Sequence, residues 1–195
     1  MNDKMSSNDT RSIAPTRGKT IRVGPLRQRL VAPATAAGRS RVRRATEADI
    51  DEMVEMFRIQ HAASALRDAP LHEPKFRDLL RHAIGSREYA CFVYEGPSGG
   101  LIGMMAGYVA PHFFSLETAA SDLFLFVRPE VRGGIAAARL WSAFRAWAQQ
   151  AGAGMLRLGT SGEAPERTRR FYTGLGMTEV GSVYLQPLNK PVRRA

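Results

Sequence analysis

The sequence predicts an α/β (α+β) domain: a mixed, mostly antiparallel sheet flanked by helices, with a central parallel strand pair. Three observations point there. Tyr89 to Tyr94 and Leu101 to Val109 are strand-like runs joined by Gly96-Pro97-Ser98-Gly99-Gly100, which reads as an antiparallel hairpin. Asp122 to Val127 and Met155 to Thr160 are two more such runs, with a helical stretch between them. A strand, a helix and a strand in that order give parallel neighbours through a right-handed crossover. Two amphipathic helical patterns precede the hairpin and a short helix follows the parallel pair.

Residues 1–39 are rich in Ser, Thr, Pro, Gly, Ala and Arg and are expected to form an unpacked basic arm, with the domain over 40–188 and a basic tail over 189–195. Ser40 to Ala45 reads as a first strand. Thr46-Glu47-Ala48-Asp49 reads as a helix N-cap with an acid at the third helical position, a variant of the capping box. Ile50, Met53, Val54, Phe57 and His61 recur at helical spacing, and the helix should run to about Ser64. Pro70 and Pro74 break the chain. Phe76, Leu79, Leu80 and Ile84 mark a second helix, closed by Gly85. After the hairpin and the strand at Asp122, a third helix starts near Ile135, carries Leu140, Phe144, Trp147 and Ala148 on one face, and ends near Gly152. Glu166 to Leu175 is a short helix with a basic face of Arg167, Arg169 and Arg170. Val180 to Leu185 reads as a last strand, stopped by Pro187.

Composition removes several classes of function. No apolar run approaches the roughly 18–20 residues of a membrane span, so no membrane partner is expected. No apolar segment follows the N-terminus, and Cys91 is the only cysteine, so a disulfide scaffold is excluded and a cytoplasmic location is expected. His61, His72, His82 and His112 lack metal-ligand spacing, so no metal is expected. The net charge of +10 is unevenly spread. Residues 1–44 hold 11 Lys/Arg against 2 Asp/Glu, leaving the remaining chain close to neutral at +1. An arm of that charge suits weak contact with nucleic acid or another acidic surface, or is a solvated tail.

The stretch from Asp122 to Leu140 organises the chain. Leu123 to Val127 is continuously apolar, as suits a strand covered on both faces. Pro129 ends it, and Arg132-Gly133-Gly134 offers backbone that turns tightly. A helix that begins just after glycines presents unpaired N–H groups and a positive dipole end, a site for phosphate or pyrophosphate. A Gly-Gly turn before a helix is also an ordinary structural connection, so the rest of the chain decides.

The residues around this stretch resemble the GNAT superfamily of acyl-CoA-dependent N-acyltransferases. Arg44-Ala45-Thr46-Glu47-Ala48-Asp49-Ile50 is similar to that family's first strand-to-helix passage. Arg132, Ala137 and Leu140 take the first position, the last position and the following leucine of its R/Q-x-x-G-x-G/A loop; Ile135 stands where the middle glycine belongs. Arg170-Phe171-Tyr172-Thr173-Gly174-Leu175-Gly176-Met177 resembles its F-Y-x-x-x-G-F signature, with Met177 for the usual Phe.

The resemblance implies acetyl-CoA as cosubstrate. Its pyrophosphate would rest on the N–H groups of Arg132, Gly133, Gly134, Ile135, Ala136 and Ala137. Its pantetheine arm would lie along Leu125, Phe126 and Val127, mainly on the backbone of Leu125 and Val127. Tyr172 would sit beside the sulfur as an acid, or as a hydrogen-bond donor to it. Asp122 is the expected base that frees the amine of its proton, with Glu117 the runner-up. Cys91 has no adjacent His and is expected to be a packed strand residue rather than a nucleophile. The reading is an N-acetyltransferase acting directly on a primary amine of a small molecule or a protein, with pairing into a homodimer a further implication of the resemblance. The alternative is a non-catalytic CoA-binding or adaptor domain whose basic arm docks it on an acidic surface, a reading that Ile135 favours and Tyr172 opposes. Recruitment by the arm to a nucleic-acid-associated acceptor is a third.

Overall fold

The computed structural model describes residues 41–160, 165–181 and 183. The expected basic arm and the C-terminal tail lie outside the described residues. Five strands form one sheet in the order β1 (Arg41–Arg44), β2 (Tyr89–Glu95), β3 (Leu101–Pro111), β4 (Thr118–Val127) and β5 (Met155–Arg157). The first four are antiparallel and β4 pairs with β5 in parallel. The expected mixed sheet is therefore present. Of the expected strand from Val180 to Leu185, only Val180, Gly181 and Val183 are described; they are irregular, and both valines are exposed.

The passage into α1 (Ile50–Ala62) is the capping box expected from Thr46. The backbone N–H of Thr46 donates to Asp49 Oδ2 at 2.7 Å, which satisfies a group the helix start would otherwise leave open. Arg43 reaches the same carboxylate with two bonds of 2.8 Å. Bidentate pairing and the local N–H hold the Asp49 carboxyl down at about 2. The second helix, α2 (Glu73–Gly85), is capped by His72, whose Nδ1 accepts from the N–H of Lys75. His72 thus has a local structural task.

Alternation along the strands divides the core into two layers. Cys91, Val93, Met104 and Ala106 face α1 and α2 and pack with Met53, Met56, Phe76 and Leu80. Ala90, Phe92, Tyr94 and Met105 face α3 (Ala136–Gln150) and pack with Leu140, Phe144 and Trp147. Cys91 is a buried strand residue, as expected, and burial pushes its thiol up to about 12. Gly107 lets α3 lie close to the sheet: a Cβ there would stand 2.6 Å from Phe144 Cε2 and would overlap the carbonyl oxygen of Ser121.

Two features of β4 set up the site. It begins at Thr118 rather than at Asp122, because Ala119, Ala120 and Ser121 pair with β3 on one side and with Met155, Leu156 and Arg157 on the other. It also contains a bulge. Ala106 pairs with Phe124 and Gly107 with Asp122, so Leu123 is one residue too many for the register. The packing records the shift: Ala120 lies in the α3 layer, whereas Phe124 and Phe126 lie in the α1–α2 layer.

Candidate active site

Past Ser121 the two parallel strands separate. β5 ends at Arg157, earlier than the Thr160 expected from sequence, and among the described residues no strand pairs with the far edge of β4 over 122–127. The physical reason is visible at Gly159, whose polar groups are used by side chains instead of a strand ladder. Its N–H donates to Asp122 Oδ1 at 2.9 Å, and its carbonyl accepts from the hydroxyl of Tyr172 at 3.3 Å. Tyr172 comes from α4 (Pro165–Gly174), which is stopped by Gly176 in a left-handed conformation. The structure thus brings the two expected catalytic side chains to one residue at the mouth of the opening.

Their electrostatics differ. Desolvation raises the Asp122 carboxyl to about 6, and the Gly159 N–H opposes that rise only in part. A carboxylate of that kind is ionised at neutral pH yet is a stronger base than a surface Asp. Burial, reinforced by the charge of Asp122, pushes the Tyr172 phenol above its ordinary range. It stays protonated and remains a donor throughout the neutral range. Glu117 is exposed in the β3–β4 turn beside Gly154. It precedes β4, five residues before Asp122 in the chain.

The other end of the opening is the turn from β4 into α3. Arg128 anchors its start, with its backbone N–H on the carbonyl of Ile102 at 3.0 Å and its Nε on that of Leu101 at 2.8 Å. Pro129–Val131 make a single 3-10 turn. Gly133 then adopts φ +95°, the left-handed geometry that favours glycine, and Ile135 sits at the helix N-cap with φ −84° and an exposed side chain. The left-handed residue is therefore Gly133, and Ile135 has an ordinary helical backbone. No side chain caps α3 and no acid lies in its first turn. An uncapped, acid-free helix start after an exposed glycine turn fits an anionic phosphate group.

Arg132, the expected first residue of the loop, turns its guanidinium back toward the strand. Its Nε donates to the carbonyl of Val127 at 3.0 Å and its Cζ lies 5.5 Å from the centre of the Phe126 ring. Of the strand residues expected along a pantetheine arm, Phe126 and Val127 are buried and Leu125 is half-buried against the α3 layer. The Val127 carbonyl is occupied by Arg132. Gly159 and the bulge at Leu123 were not singled out by sequence. Gly159 follows Met155-Leu156-Arg157-Leu158, and its only sequence signal is a glycine near the end of an expected strand. Among the described residues there is no group of three or more His, Cys, Asp or Glu able to hold a metal ion, and no helix is long and apolar enough to cross a membrane.

The family follows from the comparison of sequences. Residues 50–177 match the Acetyltransferase (GNAT) family, and the chain belongs to that family. No curated protein matches the chain in sequence. Solved structures share the fold. A protein described as a transcriptional regulator from Bacillus halodurans C-125 superposes with a TM-score of 0.64 at 18% identity, covering 77% of this chain and 100% of that one. AAC(6')-Iy in complex with the bisubstrate analog CoA-S-monomethyl-acetylneamine gives 0.63 at 15% identity, over 78% and 99%. Glucosamine-6-phosphate N-acetyltransferase from Arabidopsis thaliana gives 0.62 at 14% identity, over 77% and 99%.

Proposed function

We propose that this acetyltransferase moves an acetyl group from acetyl-CoA directly to a primary amine, with Asp122 as base and Tyr172 as donor to the leaving sulfur. The observation that carries the reading is the meeting of both side chains on Gly159 where β4 and β5 part. Family membership and the CoA-based analog in one structural neighbour support the choice of donor. The helix start at Gly133 to Ala137 offers the phosphate cradle that such a donor needs.

The chemistry divides between the two residues. An ammonium cannot attack, so Asp122 accepts one proton from it, directly or through a water. The neutral amine nitrogen then bonds to the acetyl carbon, and the carbon–sulfur bond breaks. The electron pair of that bond leaves on sulfur, to which the Tyr172 hydroxyl turns its one proton from the Gly159 carbonyl. Because its own proton is tightly held, Tyr172 stabilises the thiolate rather than ending as a phenolate. The acylated nitrogen gives its second proton to the thiolate, so that a neutral amide and the CoA thiol are formed, and the proton held by Asp122 passes to solvent. No covalent enzyme intermediate is needed, in keeping with the burial and raised thiol of Cys91.

Ile135 was the feature that favoured a non-catalytic domain. With its side chain in solvent and the left-handed turn at Gly133, it no longer argues against a phosphate cradle. The test is calorimetric titration with acetyl-CoA and, separately, ATP, followed by a screen of amines for release of free CoA thiol. Micromolar binding of acetyl-CoA with ATP much weaker, and amine-dependent thiol release, are the expected results. No binding at millimolar acetyl-CoA would overturn the reading.

A further inference from the structure

The basic face of α4 has no task in the chemistry above, and its arginines differ in their surroundings. Arg169 is matched by two carboxylates, Glu166 at 2.7 Å and Glu179 at 2.9 Å. Arg167 is exposed, and no carboxylate among the described residues pairs with it. Its guanidinium instead lies on the turn before α3: Nη2 is 3.4 Å from the point that a Cβ on Gly133 would occupy. Gly133 is the left-handed residue of that turn, and the helix beyond it has neither a side-chain cap nor an acid in its first turn.

The arginine that the loop itself supplies faces elsewhere. Arg132 is turned onto the Val127 carbonyl and the Phe126 ring, where it closes the turn on the end of β4. The turn therefore carries the backbone half of an anion site, and the cation resting on it comes from another helix. A guanidinium beside a glycine can form charge-assisted, two-pronged bonds to phosphate oxygens while the backbone N–H groups bind the same group.

We infer that Arg167 is a donor-binding residue that carries the countercharge for the diphosphate of the acyl donor, and that Arg132 staples the turn in shape. This rests on the acetyl-CoA reading given above. The diphosphate is chosen over the 3′-phosphate because Gly133 adjoins the helix start, where a phosphate sits closest to the N–H groups.

The experiment is titration of the full-length chain and of its R167A, R167K and R169A variants with CoA, dephospho-CoA and pantetheine, each at low and high salt. R167A should weaken CoA and dephospho-CoA by the same factor, about tenfold or more for a charge-assisted contact, and leave pantetheine unchanged. R167K should fall between R167A and the native chain, and R169A should match the native chain. Salt should affect CoA binding less in R167A than in the native chain. Native-like CoA affinity in R167A would overturn the inference while leaving the acetyl-CoA reading in place. Loss for CoA but not for dephospho-CoA would move Arg167 to the 3′-phosphate and overturn the diphosphate assignment. Equal loss for pantetheine would mean that Arg167 merely positions α4. A native chain that binds neither CoA nor dephospho-CoA would remove the donor reading and this inference together.

Discussion

Asp122 and Tyr172 are joined through one residue: Gly159 gives its N–H to the carboxylate at 2.9 Å and takes the phenol on its carbonyl at 3.3 Å. The two groups come from a strand and a helix 50 positions apart in sequence, and neither could be oriented this way had β5 continued past Arg157.

Asp122→Asn keeps an acceptor for Gly159 and removes the base. We expect kcat/KM to fall by about 10²-fold or more, the usual scale for a positioned acid or base. In the native chain, activity should decline as pH falls through about 6, where the carboxylate takes up its proton. A pH–rate profile of both proteins decides this; a native profile flat from pH 5 to 8 would discard Asp122 as the base.

The same substitution should stabilise the fold. A carboxyl raised from 3.8 to about 6 by desolvation is held at a cost once ionised. That cost is of order 1–3 kcal/mol at neutral pH by linkage. It is fully present above about pH 6, shrinks between 6 and 4, and is absent where both folded and unfolded chains are protonated. Thermal melts should show Asp122→Asn above the native chain at pH 7.5 and level with it near pH 3.5. A lower Tm at pH 7.5 would contradict the account.

Tyr172→Phe removes one hydroxyl and leaves the ring beside Phe171. Turnover should drop by about 10²-fold, with the CoA dissociation constant nearly unchanged. Calorimetry beside steady-state kinetics separates these quantities. Unchanged turnover would remove the phenol from the chemistry.

Asp49 behaves in the opposite sense from Asp122. Arg43 and the Thr46 N–H favour its charged form and hold it near 2. The resulting stability, about 2 kcal/mol, is complete above pH 4 and lost as pH falls through 2. Asp49→Asn should lower stability by that amount at pH 7, and by progressively less below pH 4, in denaturant titrations. An equal deficit at pH 2 and pH 7 would show that the ion pair is not its source.

Gly107→Ala asks for room that is not there. The added methyl would enter the space of the Phe144 ring and the Ser121 carbonyl, a cost on the order of 1–3 kcal/mol for overpacking. Because Ser121 adjoins Asp122, turnover should fall as well. Native Tm and native rate together would show that α3 can retreat from the sheet.

Much of this was legible in the chain because it depended on local chemistry. The Thr46 cap, the hairpin glycines, the helical spacing of Leu140 and Phe144, and the parallel pair follow from side-chain period and turn residues. Asp122 and Tyr172 were expected from the resemblance to the family's motifs, and the structure brings both to Gly159. What stayed hidden depends on register. Nothing in Asp122-Leu123-Phe124 marks Leu123 as surplus, because a bulge is defined by the partner strand. Gly159 gains its importance from where β5 stops. Arg132 turns back onto the Val127 carbonyl and Arg167 lies beside Gly133, because a guanidinium on a long stem reaches either way and spacing does not say which carbonyl or glycine it meets.

The surplus residue in β4 reconciles two demands that conflict in a regular sheet. A strand is firm when both edges are bonded, whereas a substrate needs an edge with nothing on it. β4 pairs with β3 at every residue but Leu123, and with β5 over only three residues, Ala119 to Ser121. Leu123 is the point where its two halves fall out of phase. The half before it is a fully laced interior strand, and the half after it is, on one side, a rim. Among the described residues, β4 thus presents an open edge within the sheet, backed by two packed layers, where an ordinary edge strand would be backed by solvent.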